Sequence, residues 1–220
     1  MRVETVSIGM FQAQAHIAID EATSECAIID TGENGVGIKE AVDRIGAKPV
    51  FVLLTHGHID HAGGLAEMRR CYPEVPIRMH KGDLPYVENM VTQGRMFGVE
   101  VEPAPPLDTF LHGGEQIDIG SGVCLKVIAT PGHSPGGVVF YEPHAHVAFV
   151  GDTLFQGSIG RTDLPGGSAK TLLSSLRERV LTFPEETRCY TGHGPSTTVG
   201  EEKAHNPFLR PGAEAFLGLG

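Results

Sequence analysis

Apolar and polar residues alternate along residues 3–8 and again along 13–19, a period of two that predicts two strands. Residues 26–30, Cys-Ala-Ile-Ile-Asp, form a short apolar run closed by Thr31-Gly32, which reads as a third strand and a turn. The period then changes. Val36, Ile38, Ala41, Val42 and Ile45 fall at helical spacing, and Gly46 ends the helix predicted over 36–45. Residues 50–54 are continuously apolar, as in a strand covered on both faces. A short helix is predicted over 63–70, and strands over 116–119, 123–129, 137–141, 147–150 and 188–191. Between Ser168 and Phe183, Ala169, Leu172, Leu173, Leu176, Val180 and Leu181 make an amphipathic stripe. Residues 81–110, with Pro85, Pro103, Pro105 and Pro106, read as a helix plus an irregular insert. Each half of the chain runs strands first and helix later. The fold class this implies is α/β, two packed sheets with helices on the outer faces.

Composition adds exclusions. The 220 residues fit one large domain, here 1–208, followed by a short tail over 209–220. A net charge of −10 with no local run of Lys or Arg argues against a nucleic-acid surface. No apolar run reaches the ~18 residues of a membrane span, and residues 1–5 lack the apolar centre of a secretion signal. The expectation is a cytoplasmic protein with no membrane partner. Cys26, Cys71, Cys124 and Cys189 form no CxxC pair and are expected to be reduced and mostly buried.

The candidate chemistry begins where the buried strand at 50–54 ends. In Thr55-His56-Gly57-His58-Ile59-Asp60-His61, four metal-capable side chains fall within six positions. His56 and His58, two apart on extended backbone, point to one side, while Asp60 and His61 come as the chain turns into a helix. Gly57, Gly63 and Gly64 permit the tight turn. Three further candidates each follow a predicted strand and are flanked by Gly or Pro. These are His133 in Pro131-Gly132-His133-Ser134-Pro135-Gly136, Asp152 in Gly151-Asp152, and His193 in Gly192-His193-Gly194-Pro195. Imidazole mixed with carboxylate suits zinc, with iron or manganese as alternatives.

These motifs, with Gly160-Arg161-Thr162-Asp163 and Asn206-Pro207-Phe208, resemble the metallo-β-lactamase superfamily and, within it, the short glyoxalase II-like (hydroxyacylglutathione hydrolase-like) hydrolases. The resemblance implies an αββα sandwich of two mixed sheets. It also implies two divalent ions per chain: one on His56, His58 and His133, a second on Asp60, His61 and His193, with Asp152 bridging. The implied reaction is hydrolysis of an S-acyl thiol such as S-lactoylglutathione, by a hydroxide shared between ions ~3.5–4 Å apart. Asp60 and Asp152 are then the catalytic carboxylates, with Asp60 helping to orient the hydroxide. Arg161 matches a position that contacts the thiol's peptide part, the alternative being an ion pair with Asp163. The longer C-terminal helical region with which full-length glyoxalase II grips glutathione is not matched here, so another thiol carrier stays open.

A mononuclear-iron persulfide dioxygenase of the same fold shares Gly160-Arg161-Thr162-Asp163 and is the alternative. A secreted β-lactamase fits less well for want of a signal segment. A non-catalytic binding module is expected to have lost ligands, and all seven are present. Arg95-Met96-Phe97-Gly98 is expected to anchor a long loop rather than wall the pocket. His144 and His146 are expected to occupy a hairpin tip, and His205 is not expected to be a ligand. The oligomeric state is open.

Overall fold

The computed structural model describes residues 1–213. Its first sheet runs in the order β1 (Arg2–Ile8), β2 (Ala13–Ile19), β3 (Glu25–Ile29), β4 (Lys48–Leu53), β5 (Ile77–His80) and β6 (Thr109–Leu111). β1 to β3 pair antiparallel, and β3 to β6 pair parallel. The second sheet is built from β7 (Gln116–Ile119), β8 (Val123–Ala129), β9 (Val138–Glu142), β10 (Val147–Gly151), β13 (Arg188–Thr191) and β14 (Thr197–Thr198). Here only the β10–β13 pair is parallel. A small hairpin, β11 (Leu154–Phe155) with β12 (Ser158–Ile159), stands apart.

Among the described residues seven α-helices cover the sheets: α1 (Ile38–Ile45), α2 (Ile59–Ala62), α3 (Leu65–Cys71), α4 (Leu84–Glu88), α5 (Met90–Phe97), α6 (Ala169–Glu178) and α7 (Val199–His205). Side-chain parity along the strands produces three apolar layers. Ile17, Ile28, Val52 and Met79 face Ile38, Val42, Leu65 and Met68 of the helices on the first sheet. Ile29, Leu53, Val127, Phe140 and Phe149 fill the space between the sheets. Val139, Tyr141, Ala148 and Val150 face Leu172, Leu176 and Val199 on the far side. Two helix-on-sheet layers around one sheet-on-sheet layer make the αββα sandwich.

Several boundaries differ from the sequence pattern, for physical reasons. The first helix starts at Ile38 rather than Val36, because Gly35 and Gly37 take positive φ; Val36 is left 66% exposed. The helix expected over 63–70 starts only at Leu65, and a separate short helix over Ile59–Ala62 precedes it; the break falls at Gly63-Gly64, where a Cβ on Gly64 would lie 2.4 Å from Gly35 N. The insert at 81–110 holds two helices and ends in a strand. β6, β11, β12 and β14 are too short to display a period of two, and β5 alternates over four residues only. Of the cysteines, all free, Cys26 and Cys189 are buried and their thiols pushed up to about 12 by that burial, while Cys71 and Cys124 are only half-buried. Among the described residues no helix is long and apolar enough to cross a membrane. The tail expected over 209–220 begins at the end of a 3₁₀ turn, Pro207–Leu209; its residues 214–220 lie outside the described ones.

His16 ties the sheets together. Its Nε2 donates to the Thr191 carbonyl of β13 and its Nδ1 pairs with the Thr5 hydroxyl of β1. Burial pulls the ring's pKa down to about 4. Below pH 6.5 the unfolded chain binds a proton that the folded chain refuses, so stability drains as the pH falls from 6.5 toward 4. The full effect is about 3 kcal/mol. In chelator-treated protein, His16→Leu is expected to flatten the acid limb of stability by up to that amount. Urea melts of both proteins at pH 7 and pH 4.5 check it, and equal acid sensitivity would disprove it.

Candidate metal centre

β8, β10 and β13 run in one direction, so the loops that follow them open on one edge of the sandwich. His133 follows β8, Asp152 follows β10 and His193 follows β13. His56 and His58 lie between β4 and α2, and Asp60 and His61 in the first turn of α2. All seven sequence-predicted ligands converge. They form two groups, His56, His58 and His133 in one, and Asp60, His61, Asp152 and His193 in the other, each with its donor atoms within 4.8 Å of one another.

The first group is tight. His133 Nε2 lies 2.9 Å from His58 Nδ1 and 3.2 Å from His56 Nε2. In the second, His193 Nε2 is 3.1 Å from Asp60 Oδ2 and 3.4 Å from His61 Nε2. Asp152 joins them: its Oδ1 is 3.2 Å from His61 Nε2, and its Oδ2 is 3.7 Å from both His133 Nε2 and His193 Nε2.

The outward ring nitrogens fix the tautomers. His133 Nδ1 donates to the Arg161 carbonyl at 2.8 Å, His193 Nδ1 to the Phe11 carbonyl at 3.1 Å, and His61 Nδ1 to Asp30 Oδ2 at 2.8 Å. Thr55 spends its hydroxyl hydrogen on Asp30 and accepts from His56 Nδ1 at 3.1 Å. In the neutral form of each of these four rings, with its hydrogen on Nδ1, Nε2 is a bare lone pair aimed into the cluster. Lone pairs facing one another and carboxylates repel, and Asp152 Oδ1 is buried with no hydrogen-bond donor. A cation between them removes the repulsion, so the donor set fits divalent metal.

The electrostatics agree. Burial and the neighbouring rings of His61 and His133 hold His56 well below the ordinary histidine value, and burial and His133 bring His58 down to about 4. Burial also opposes charge on His61, but the carboxylates of Asp152, Asp60 and Asp30 outweigh it and hold that ring well above the ordinary value. Burial pushes Asp60 and Asp152 up, yet His61 prevails and keeps both below the usual carboxylate range. His56 and His58 are thus held as neutral nitrogen donors, while the carboxylate-bearing half of the site calls for positive charge.

Glycine is imposed by crowding at Gly192, where a Cβ would lie 2.1 Å from Asp152 Oδ1 and 2.6 Å from His61 Cε1. Gly192→Ala is expected to displace both side chains and lower metal affinity at least tenfold while leaving the fold intact. Metal titration beside a thermal melt measures this, and unchanged affinity would count against it.

Three supports were not foreseen from the sequence. Asp30, read only as a strand end, is fully buried and also accepts from Thr55 N at 2.7 Å; its φ is 60°. Asp83 accepts from Gly57 N, Ser134 Oγ and Gly136 N, clamping the His56–His58 loop to the His133 loop. Glu33 accepts from Met10 N and Phe11 N, holding the loop whose carbonyl orients His193. Of the three only Asp30 carries a sequence signal, a lone carboxylate closing an apolar run.

A cavity of about 320 Å³ opens on the cluster, with His58, Asp60, His133 and Asp152 in its lining. Tyr86 also lines it, its ring 4.8 Å from that of His58. Met96 and Phe97, expected to anchor a loop, instead wall this cavity and are exposed, because α5 turns that face outward. Arg161 lines it as well, but its guanidinium is held by Asp163 at 2.7 and 2.8 Å, and it is the Arg161 carbonyl that touches a ligand. His144 and His146 sit in the β9–β10 turn, and His205 is exposed beside Glu201.

Residues 17–193 match the sequence model of the metallo-beta-lactamase superfamily. The chain is 39% identical over 211 residues to the probable metallo-hydrolase YqgX of Bacillus subtilis, covering 95% of this chain and 98% of that one. It is 34% identical over 215 residues to the hydroxyacylglutathione hydrolase GloC of Haemophilus influenzae, with 95% and 98% covered. Among solved structures, the BLEG-1 B3 metallo-beta-lactamase superposes with a TM-score of 0.88 at 35% identity, covering 96% of this chain and all of that one. A di-iron-bound form of TTHA1623 superposes with a TM-score of 0.86 at 37% identity, covering 94% of this chain and all of that one.

Proposed function

This chain belongs to the metallo-β-lactamase superfamily, and on that premise we propose that it hydrolyses S-acyl thiols at a centre of two divalent ions. His56, His58 and His133 would hold one ion, Asp60, His61 and His193 the other, and Asp152 would bridge them. The observation that carries this reading is the position of Asp152, which lies between two complete donor groups and offers one oxygen toward His133 and His193 and the other toward His61. When bound, such ions supply Lewis acidity for a carbonyl oxygen and lower the pKa of water to about 7, so a nucleophile exists at neutral pH. Zinc is the first candidate; iron is favoured by the likeness to the di-iron protein.

The chain's own groups do the rest. Asp60, in the cavity wall and held ionised, is assigned to orienting the nucleophilic water. The Asp30, Phe11 and Arg161 acceptors keep three imidazole rings turned inward. Phe11, Met96 and Phe97 shield the ester from bulk water on the open side of the cavity. Likeness to a hydroxyacylglutathione hydrolase supports a thioester substrate.

Elemental analysis of the purified protein, paired with turnover of S-lactoylglutathione under argon, tests the reading. The expected result is two ions per chain and hydrolysis without oxygen. One iron per chain with oxygen consumption on glutathione persulfide would move the assignment to a persulfide dioxygenase. Two ions and no turnover of any acyl thiol would end the thioester reading.

A further inference from the structure

The cavity beside the candidate ions has a chemistry of its own. With Ile59, the side chains of Phe11, Tyr86, Met96, Phe97, Leu164 and Pro165 make the apolar part of its wall. Phe11 and Phe97 meet edge to face with centroids 5.9 Å apart, forming an aromatic lip. The polar wall residues other than candidate ligands and Arg161 are Asn89, Thr92, Gln93 and the Tyr86 hydroxyl. All are uncharged. Asn89 Nδ2 donates to the Pro85 carbonyl at 2.8 Å, Gln93 Nε2 to the Tyr86 carbonyl at 2.7 Å, and the Tyr86 hydroxyl to the Pro165 carbonyl. Each amide nitrogen thereby uses one of its two N–H groups, which orients the amide and keeps its oxygen as an acceptor for an N–H of a ligand.

Cations are scarce at the same place. Among the lining residues Arg161 is the sole Lys or Arg, and its Nε and Nη2 are on Asp163, which offsets its charge. Arg95, next to Met96 in sequence, lines a different groove in company with Glu33, Glu67, Glu100 and Glu102. A chain of net charge −10 also repels an approaching anion. A peptide thiol with two carboxylates calls for Arg or Lys partners, and a desolvated carboxylate without one is costly.

We propose, building on the thioester reading above, that the preferred substrate is an S-acyl ester of an uncharged, amide-bearing thiol arm, seated against Met96, Phe97 and Phe11, with Asn89 and Gln93 accepting its N–H groups. The reaction balances without a co-reactant. The oxygen of water bonds to the acyl carbon, the C–S bond breaks, and the sulfur leaves with the electron pair and takes up a proton. The products are a carboxylate, a neutral thiol and one released proton.

Three esters of one acyl group separate charge from size on the metal-loaded full chain: S-lactoyl-N-acetylcysteamine, S-lactoylglutathione, and the N-acetylated diethyl ester of S-lactoylglutathione. The neutral arm is expected to give a kcat/KM at least tenfold above that of S-lactoylglutathione, carried by KM, and neutralising the glutathione ester is expected to recover most of the difference. Met96→Ala with Phe97→Ala is expected to raise KM for the cysteamine ester severalfold at near-constant kcat. Calorimetric titration with S-alkyl thioether analogues of N-acetylcysteamine and of glutathione, which cannot turn over, is expected to rank the arms in the same order. A preference for free S-lactoylglutathione, or tighter binding of its thioether, overturns the neutral-arm inference and leaves the thioester reading standing. Turnover of none of the three esters sinks both.

Discussion

Asp152→Ala is expected to empty most of the centre and abolish turnover together. The carboxylate lies within 3.7 Å of ring nitrogens in both donor groups, so its loss removes one ligand from each and a negative charge from between them. Removing a single outer partner of a metal ligand costs about 10–100-fold in affinity or activity, and losing a shared ligand is expected to exceed that. The fold should survive, since Asp152 sits at the end of β10 rather than among the apolar layers, and removing it relieves an unpaired buried oxygen. Metal content and turnover must therefore fall while the metal-free melting temperature holds or rises. Two bound ions with normal turnover would refute the bridging role.

Asp30→Asn is expected to do nearly as much harm from outside the donor set. Asp30 Oδ2 accepts from both the Thr55 hydroxyl and His61 Nδ1. An amide that turns its NH₂ toward His61 makes Nδ1 the acceptor, moves the ring proton to Nε2 and closes the lone pair aimed at the second ion. Asparagine is among the residues that tolerate the positive φ at this position, so little backbone strain is added. The expected outcome is a stoichiometry falling from two ions toward one, with the His56, His58 and His133 group still filled and turnover reduced about 10–100-fold. Asp30→Ala should also lower stability by roughly 3–5 kcal/mol, because the Thr55 and His61 donors are left buried and unpaired. Elemental analysis and thermal melts of both variants measure this; two ions at wild-type affinity in Asp30→Asn would dismiss the tautomer argument.

The same contrast marks what could be read from the chain alone. His56, His58, Asp60 and His61 are legible because they crowd into six positions after a buried strand. His133, Asp152 and His193 are legible because each repeats that placement, a candidate ligand between an apolar run and a glycine or proline. The long strands and α6 are legible because their apolar residues keep a period long enough to count. The sandwich follows, since amphipathic helices and two-sided strands have few other ways to bury their apolar faces.

Tertiary structure alone decided the rest. Asp30 reaches His61 across 31 positions, Asp83 reaches Gly136 across 53, and the Phe11 carbonyl reaches His193 across 182. Such contacts leave no spacing, and a backbone carbonyl leaves no residue preference at all. Met96 and Phe97 could anchor a loop or wall a cavity, and only the orientation of α5 selects the second. Arg161 could hold a substrate anion, but two residues on, Asp163 pairs with its Nε and Nη2. The order of residues along the chain determines which groups can ligate a metal, because that depends on side-chain chemistry and local backbone. Which nitrogen points inward, and what the adjoining cavity accepts, depends on contacts between segments far apart in sequence, and those exist only once the two sheets have packed.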